Sequence, residues 1–146
     1  MLSIPAKLLP HAKGLIVPNY ATSGSLGLDL RAAIDEIVVI APYSTKEIPT
    51  GICVNLKDTG LGMLLMPRSG LGKQGIVLAN TVGLVDLDYH REIKLQVHNS
   101  KERYFEVIPN LKIAQAIFLY IEKVKLSFQD NWEEGTRGSF GSTGQQ

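Results

Sequence analysis

Apolar residues in this chain recur at every second position. Ile93, Leu95 and Val97 alternate with Lys94, Gln96 and His98. Val124, Leu126 and Phe128 alternate with Lys123, Lys125 and Ser127, and Ile52, Val54 and Leu56 alternate with Cys53, Asn55 and Lys57. A period of two belongs to a strand with one buried face, because successive side chains point to opposite sides of a sheet. Ile37 to Ile40 and Met63 to Met66 are continuous apolar runs, expected as strands buried on both faces. Pro42, Pro49-Thr50-Gly51, Asp58-Thr59-Gly60, Asn99-Ser100 and Pro109-Asn110 punctuate the runs as turns. Many short strands with turns between them predict an all-β fold, an antiparallel sandwich or barrel.

Helix has little support. Ile113 to Ile121 is uncharged but short, and Ile113, Ile117, Phe118, Tyr120 and Ile121 favour strand. A short helix is allowed from Ser69 to Lys73, after Pro67. With 146 residues the chain is one domain's worth and needs neither disulfide nor metal to hold a core. We place a β-domain at 1–130 and an arm at 131–146. From Gly135 the arm repeats glycine at Gly135, Gly138, Gly141 and Gly144, with Phe140 the one large apolar side chain of that stretch, which is expected to be mobile.

Charge and cysteine usage narrow the function. Fifteen Lys and Arg against 14 Asp and Glu give a net charge of +1, which does not support a duplex nucleic-acid binder. A small anionic ligand needs only local positive charge. Cys53 is the lone cysteine and reads as a small buried hydrophobe in a reducing compartment. No apolar run approaches the ~20 residues of a bilayer span. The expected setting is cytoplasmic, or inside a host cell if the chain is viral.

Five places could carry chemistry. Pro67-Arg68-Ser69-Gly70-Leu71-Gly72 combines an arginine, a hydroxyl and glycines at a strand end, a plausible phosphate cradle. Asn80 to Tyr89 contains Gly83, Leu84 and Asp86 and suggests a hairpin between Val82–Val85 and Glu92–His98, with a carboxylate that could act as general base. Gln115 interrupts an apolar run and needs hydrogen-bond partners; Asp29, between Leu28 and Leu30, is expected to pair with an arginine. In the arm, Arg137 with the hydroxyls of Thr136, Ser139, Ser142 and Thr143 suits an oxyanion. His11, His90 and His98 lack metal-ligand spacing.

Together these segments resemble, in order, the five motifs of the trimeric dUTP pyrophosphatases. Ser25 to Ala32 resembles the first, Pro67 to Leu71 the second, Asn80 to Tyr89 the third, Lys112 to Gln115 the fourth and Arg137 to Gly144 the fifth. The resemblance implies a jelly-roll-like β-sandwich, a homotrimer, and hydrolysis of dUTP to dUMP and pyrophosphate with Mg²⁺ on the triphosphate, not on protein ligands. It implies that Asp86 activates water at the α-phosphorus and holds the sugar 3′-hydroxyl, that Gln115 helps hold that water, and that Tyr89 packs on deoxyribose. Gly83 and Leu84 backbone groups, with Asn80, would read uracil; Arg68, Ser69 and Gly70 would contact phosphates. Arg137, Ser142 and Thr143 would grip the γ-phosphate, Phe140 would stack on uracil with Gly141 beside it, and Asp29 would support. Arg91 stands where the family usually has glycine, a strained position if positive φ is required there, and Lys112 stands where arginine is usual. Two rival readings are a dCTP deaminase of similar fold and a trimeric partner-binding protein with weak catalysis.

Overall fold

Alternation along the chain becomes strand pairing in the computed structural model, which describes residues 2–131. The described elements are β1 (Ala6–Leu8), a 3₁₀ turn (Pro10–Ala12), β2 (Leu28–Arg31), β3 (Val38–Ile40), β4 (Thr45–Pro49), β5 (Ile52–Val54), β6 (Leu61–Pro67), α1 (Ser69–Lys73), β7 (Ile76–Leu78), β8 (Gly83–Val85), β9 (Lys94–Asn99), β10 (Phe105–Val107) and β11 (Lys112–Tyr120). Every strand pairing is antiparallel. Two larger sheets dominate: β2-β11-β6-β8, and β4-β9-β7. The pairs β1-β5 and β10-β3 complete the all-β architecture.

The core forms where inward faces meet. Leu95 and Val97 of β9 are 1% exposed, and the intervening Gln96 lies in solvent, as the alternation predicts. Leu30, Ile40, Ile48, Met63, Val107 and Ala114 join them in one apolar cluster. Cys53 is buried. Asn99, also fully buried, donates from Nδ2 to the Ile40, Ala41 and Arg103 carbonyls at 3.2, 3.2 and 2.7 Å. Its Oδ1 accepts the Lys101 N–H at 3.0 Å, so every polar atom of this side chain is satisfied. Among the described residues no helix is long and apolar enough to cross a membrane.

Three expectations are corrected. Residues 82–85 do not form a hairpin with 92–98: β8 pairs with β6, while β9 pairs with β4 and β7. The stretch from Asp86 to Ile93 is too long for a tight turn, so β9 enters the other sheet. Val124, Leu126 and Phe128 lie in no strand and are exposed, because among the described residues no strand edge pairs with them. Val39, expected buried on both faces of β3, is 46% exposed.

Candidate functional site

The four-stranded sheet organises the site, because cross-strand partners share a face. Asp29 on β2 pairs with Gln115 on β11, which pairs with Met66 on β6; two residues along β6, Leu64 pairs with Leu84 on β8. Asp29, Gln115, Met66, Leu64 and Leu84 therefore project from one face. This is the face turned away from the core, since the alternating residues Leu30, Ala114, Ala116, Met63 and Leu65 are buried.

A charged cluster sits where β2, β11 and the end of β6 converge. Arg68, following the last residue of β6, places Nε 3.0 Å from Asp29 Oδ1. Lys112, the first residue of β11, places Nζ 2.6 Å from Asp29 Oδ2. The Asp29 side chain is 13% exposed, against 35% for Arg68 and 33% for Lys112. One sheltered carboxylate thus orients two cations that still reach solvent, the arrangement needed for a polyanion. The expected arginine partner of Asp29 is present, and Lys112 is a second partner that the spacing of these segments does not reveal.

Gln115 donates its side-chain amide to the Pro67 carbonyl at 3.2 Å. This ties the centre of β11 to the residue before Arg68. Gly27 lies beneath: a Cβ there would collide with the Gln115 carboxamide oxygen, so only glycine lets that side chain lie flat. Ser69 and Gly70 open α1 and are exposed, and a Cβ at Gly70 would meet nothing within 4 Å. They lie next to the Arg68 end of the cluster.

Asn80 lies in the loop into β8, and Gly83 and Leu84 are the first two residues of that strand. The Val82 N–H donates to the Asn80 carbonyl at 2.6 Å across Thr81, whose φ is +58°. That is a γ-turn with positive φ at a β-branched residue, and such a conformation stores about 1–3 kcal/mol. Thr81 was not singled out by its sequence context; nothing in the residue type signals it. Gly83 is buried, and a Cβ there would press on Asn80 Nδ2 and Leu65 Cβ, each at 3.1 Å. The missing side chain lets this loop approach β6 with the Asn80 amide over it.

Asp86 and Tyr89 follow β8 in an exposed turn closed by the Tyr89 N–H donating to the Asp86 carbonyl at 3.1 Å. Arg91 is absent from the positive-φ residues, so it replaces glycine without backbone strain. The structure brings Asp29, Arg68, Ser69, Gly70 and Gln115 together at one end of β6. It leaves Asp86 at the other end. Val85 pairs with Met63, so Asp86 continues opposite Gly62, six residues before Arg68. At ~3.3 Å per strand residue that is roughly 20 Å along the chain's own β6. Arg137, Phe140, Gly141, Ser142 and Thr143 lie outside the described residues.

A family model described as dUTPase matches residues 13–144, a span that contains this whole arrangement. The chain belongs to the dUTPase family. It is 44% identical over 148 residues to the deoxyuridine 5'-triphosphate nucleotidohydrolase of Baumannia cicadellinicola subsp. Homalodisca coagulata, covering 99% of each chain. It is 40% identical over 151 residues to the enzyme of that name from Escherichia coli O9:H4 (strain HS), covering all of both. Among solved structures, the dUTPase of Staphylococcus bacteriophage 80alpha with dUpNHpp superposes with a TM-score of 0.83 at 22% identity, over 99% of each chain. A dUTPase variant from phage phi11 of S. aureus, described with a structural Mg(II) ion, gives 0.79 at 19% identity over 91% of this chain and 100% of that one. At these identities the solved structures carry the dUTPase-family fold, and the sequence relatives carry the membership.

Proposed function

We propose that this chain hydrolyses dUTP to dUMP and pyrophosphate as a homotrimer. The observation that carries the reading is the match of the dUTPase model over residues 13–144, which spans all five motif segments. Relatives at 40–44% identity over the full chain bear the name deoxyuridine 5'-triphosphate nucleotidohydrolase.

In this reading Asp86, exposed on its turn, orients a water and takes its proton as the water oxygen attacks the α-phosphorus. The bond from that phosphorus to the bridging oxygen breaks, and pyrophosphate leaves with the bond's electron pair. Arg68 and Lys112, preset by Asp29, meet the charge on the phosphates, with Ser69 and Gly70 beside them. Gln115, tied to Pro67, helps fix the water. Tyr89 lays its ring on the deoxyribose and excludes a 2′-hydroxyl. The loop from Asn80 to Leu84 reads the uracil edge. Arg137, Phe140, Gly141, Ser142 and Thr143 close over the nucleotide from the arm.

Among the described residues no three His, Cys, Asp or Glu side chains gather as a cation cage. In this reading Mg²⁺ would be held by triphosphate oxygens and waters, where it would neutralise charge on the phosphates.

The separation of Asp86 from Arg68 along β6 supports assembly. Two groups roughly 20 Å apart cannot serve one phosphate, whereas Asp86 of one copy can meet Arg68 of another. Val124, Leu126 and Phe128, 78%, 71% and 92% exposed, are apolar surface that a second copy would cover.

The test is pyrophosphate release from dUTP, UTP, dTTP and dCTP by the full chain, with and without Mg²⁺. Release from dUTP far above the others is expected. Ammonia release from dCTP, or no turnover of dUTP at all, defeats the proposal.

A further inference from the structure

Three contacts converge on Glu92, a residue outside the site described above. Its main-chain carbonyl accepts the Tyr89 hydroxyl at 2.7 Å. Its carboxylate Oε1 accepts the Gly51 N–H at 2.7 Å and faces His11 Nε2 at 2.9 Å. The Glu92 side chain is 14% exposed and His11 is 42% exposed. A carboxylate can only accept, so His11 carries a proton on Nε2 in this contact.

We infer that Glu92 is a positioning residue for sugar selection, locked by Gly51 and His11 so that its carbonyl holds the Tyr89 ring in one orientation. The inference rests on the role of Tyr89 proposed above. Tyr89 is 38% exposed and stands on an exposed turn, so packing alone does not choose its rotamer. The hydroxyl bond does, but an acceptor orients a ring only if the acceptor is itself fixed. Glu92 is fixed on both sides. Its side chain is anchored to Gly51, whose φ is +67° and whose own carbonyl accepts the Leu9 N–H at 2.8 Å. The next residue, Ile93, is 1% exposed; its N–H donates to the Ile52 carbonyl at 2.8 Å and its carbonyl accepts the Thr50 hydroxyl at 2.6 Å. The ring is thereby referred, through one carbonyl, to the N-terminal turn and to the β4–β5 connection.

The experiment measures kcat/KM for dUTP and for UTP by pyrophosphate release, using the full chain. Glu92→Ala is expected to lower the dUTP-to-UTP ratio about tenfold, the scale of one lost hydrogen bond. Glu92→Gln keeps an acceptor for Gly51 and His11 and is expected to restore the ratio to within about twofold. His11→Ala, an exposed change, should lower it by about threefold. Tyr89→Phe removes the hydroxyl, and in that background Glu92→Ala should cause no further loss, because both act through one bond. An unchanged ratio in folded Glu92→Ala or in His11→Ala overturns the inference, as does full additivity of Tyr89→Phe with Glu92→Ala. Should Glu92→Ala fail to fold, His11→Ala alone and combined with Tyr89→Phe decides by the same criteria. A wild-type chain without dUTP turnover defeats the proposed function instead; dUTP turnover with an unmoved ratio defeats only the role of Glu92.

Discussion

Asp29 and Gln115 are cross-strand partners on β2 and β11, and each reaches the same end of β6, Asp29 to Arg68 and Gln115 to Pro67. Two polar residues inside apolar runs thus brace one strand end from one face. That strand end leads directly into Ser69 and Gly70.

Replacing Asp29 with alanine leaves two cations facing each other with no anion between them. We expect kcat/KM for dUTP to fall about 10- to 100-fold, mostly through KM, the scale of a charge-assisted bond. Steady-state kinetics on folded protein check this; an unchanged KM would remove Asp29 from the phosphate subsite.

Asp86→Asn should keep the fold and lower kcat by about 10²–10⁴, as expected for loss of a positioned general base. Asp86 is exposed and makes no side-chain hydrogen bond among the described residues, so stability should hardly change. Wild-type kcat in this variant assigns the proton to another group.

The register of β6 makes a mixing experiment informative. Asp86→Asn and Arg68→Ala are each expected to be nearly inactive. Unfolding the two together and refolding them should recover turnover, because some sites would then draw an intact Asp86 and an intact Arg68 from different copies. No recovery would place both residues of a site on one chain.

Gly51→Ala should destabilise the protein by about 2–4 kcal/mol, combining a positive φ with overpacking. The added Cβ collides with that of Ala12 and lies 3.2 Å from that of Ala33. Urea denaturation should show a lower midpoint with an unchanged slope.

On the outer face of β4 and β9, the Lys94 ammonium lies 2.8 Å from Glu47. Its hydrogen bond pulls the Glu47 carboxyl below the usual carboxylate range, and Glu47 in turn raises Lys94. A lowered folded pKa means the pair's contribution is full above the unfolded carboxyl value and is lost as pH falls through the folded one. The raised Lys94 loses its share as pH rises through its own folded value. Glu47→Gln should therefore differ slightly from wild type in urea midpoint at neutral pH and converge on it as pH falls through the lowered Glu47 value, with salt shrinking the gap. A gap that persists in acid would point to packing.

Period-two patterning made β5 and β9 legible, and β-propensity rather than alternation read the uncharged run from Ile113 to Ile121 as strand, where β11 (Lys112–Tyr120) lies. The partner of Asp29, the burial of Cys53 and the short helix after Pro67 were also readable, because each follows from a local cost of burial or turn geometry. Pairing was not. The turn signals around Gly83 and Asp86 say that a strand adjoins them, not that β6 is its neighbour and β9 is not. The alternation at Val124, Leu126 and Phe128 shows an apolar face without naming what covers it. The γ-turn at Thr81 and the ordinary φ of Arg91 are backbone facts that residue type does not carry.

Gly51 spends both of its main-chain polar groups on distant segments, its carbonyl on Leu9 and its N–H on Glu92, while His11 and Glu92 meet across 81 residues of chain. A stretch with no chemistry of its own is thereby wired to the turn that bears Tyr89. On the proposed role of Tyr89, drift among the first dozen residues, or a fusion partner attached there, would retune discrimination between ribose and deoxyribose without touching a single nucleotide contact.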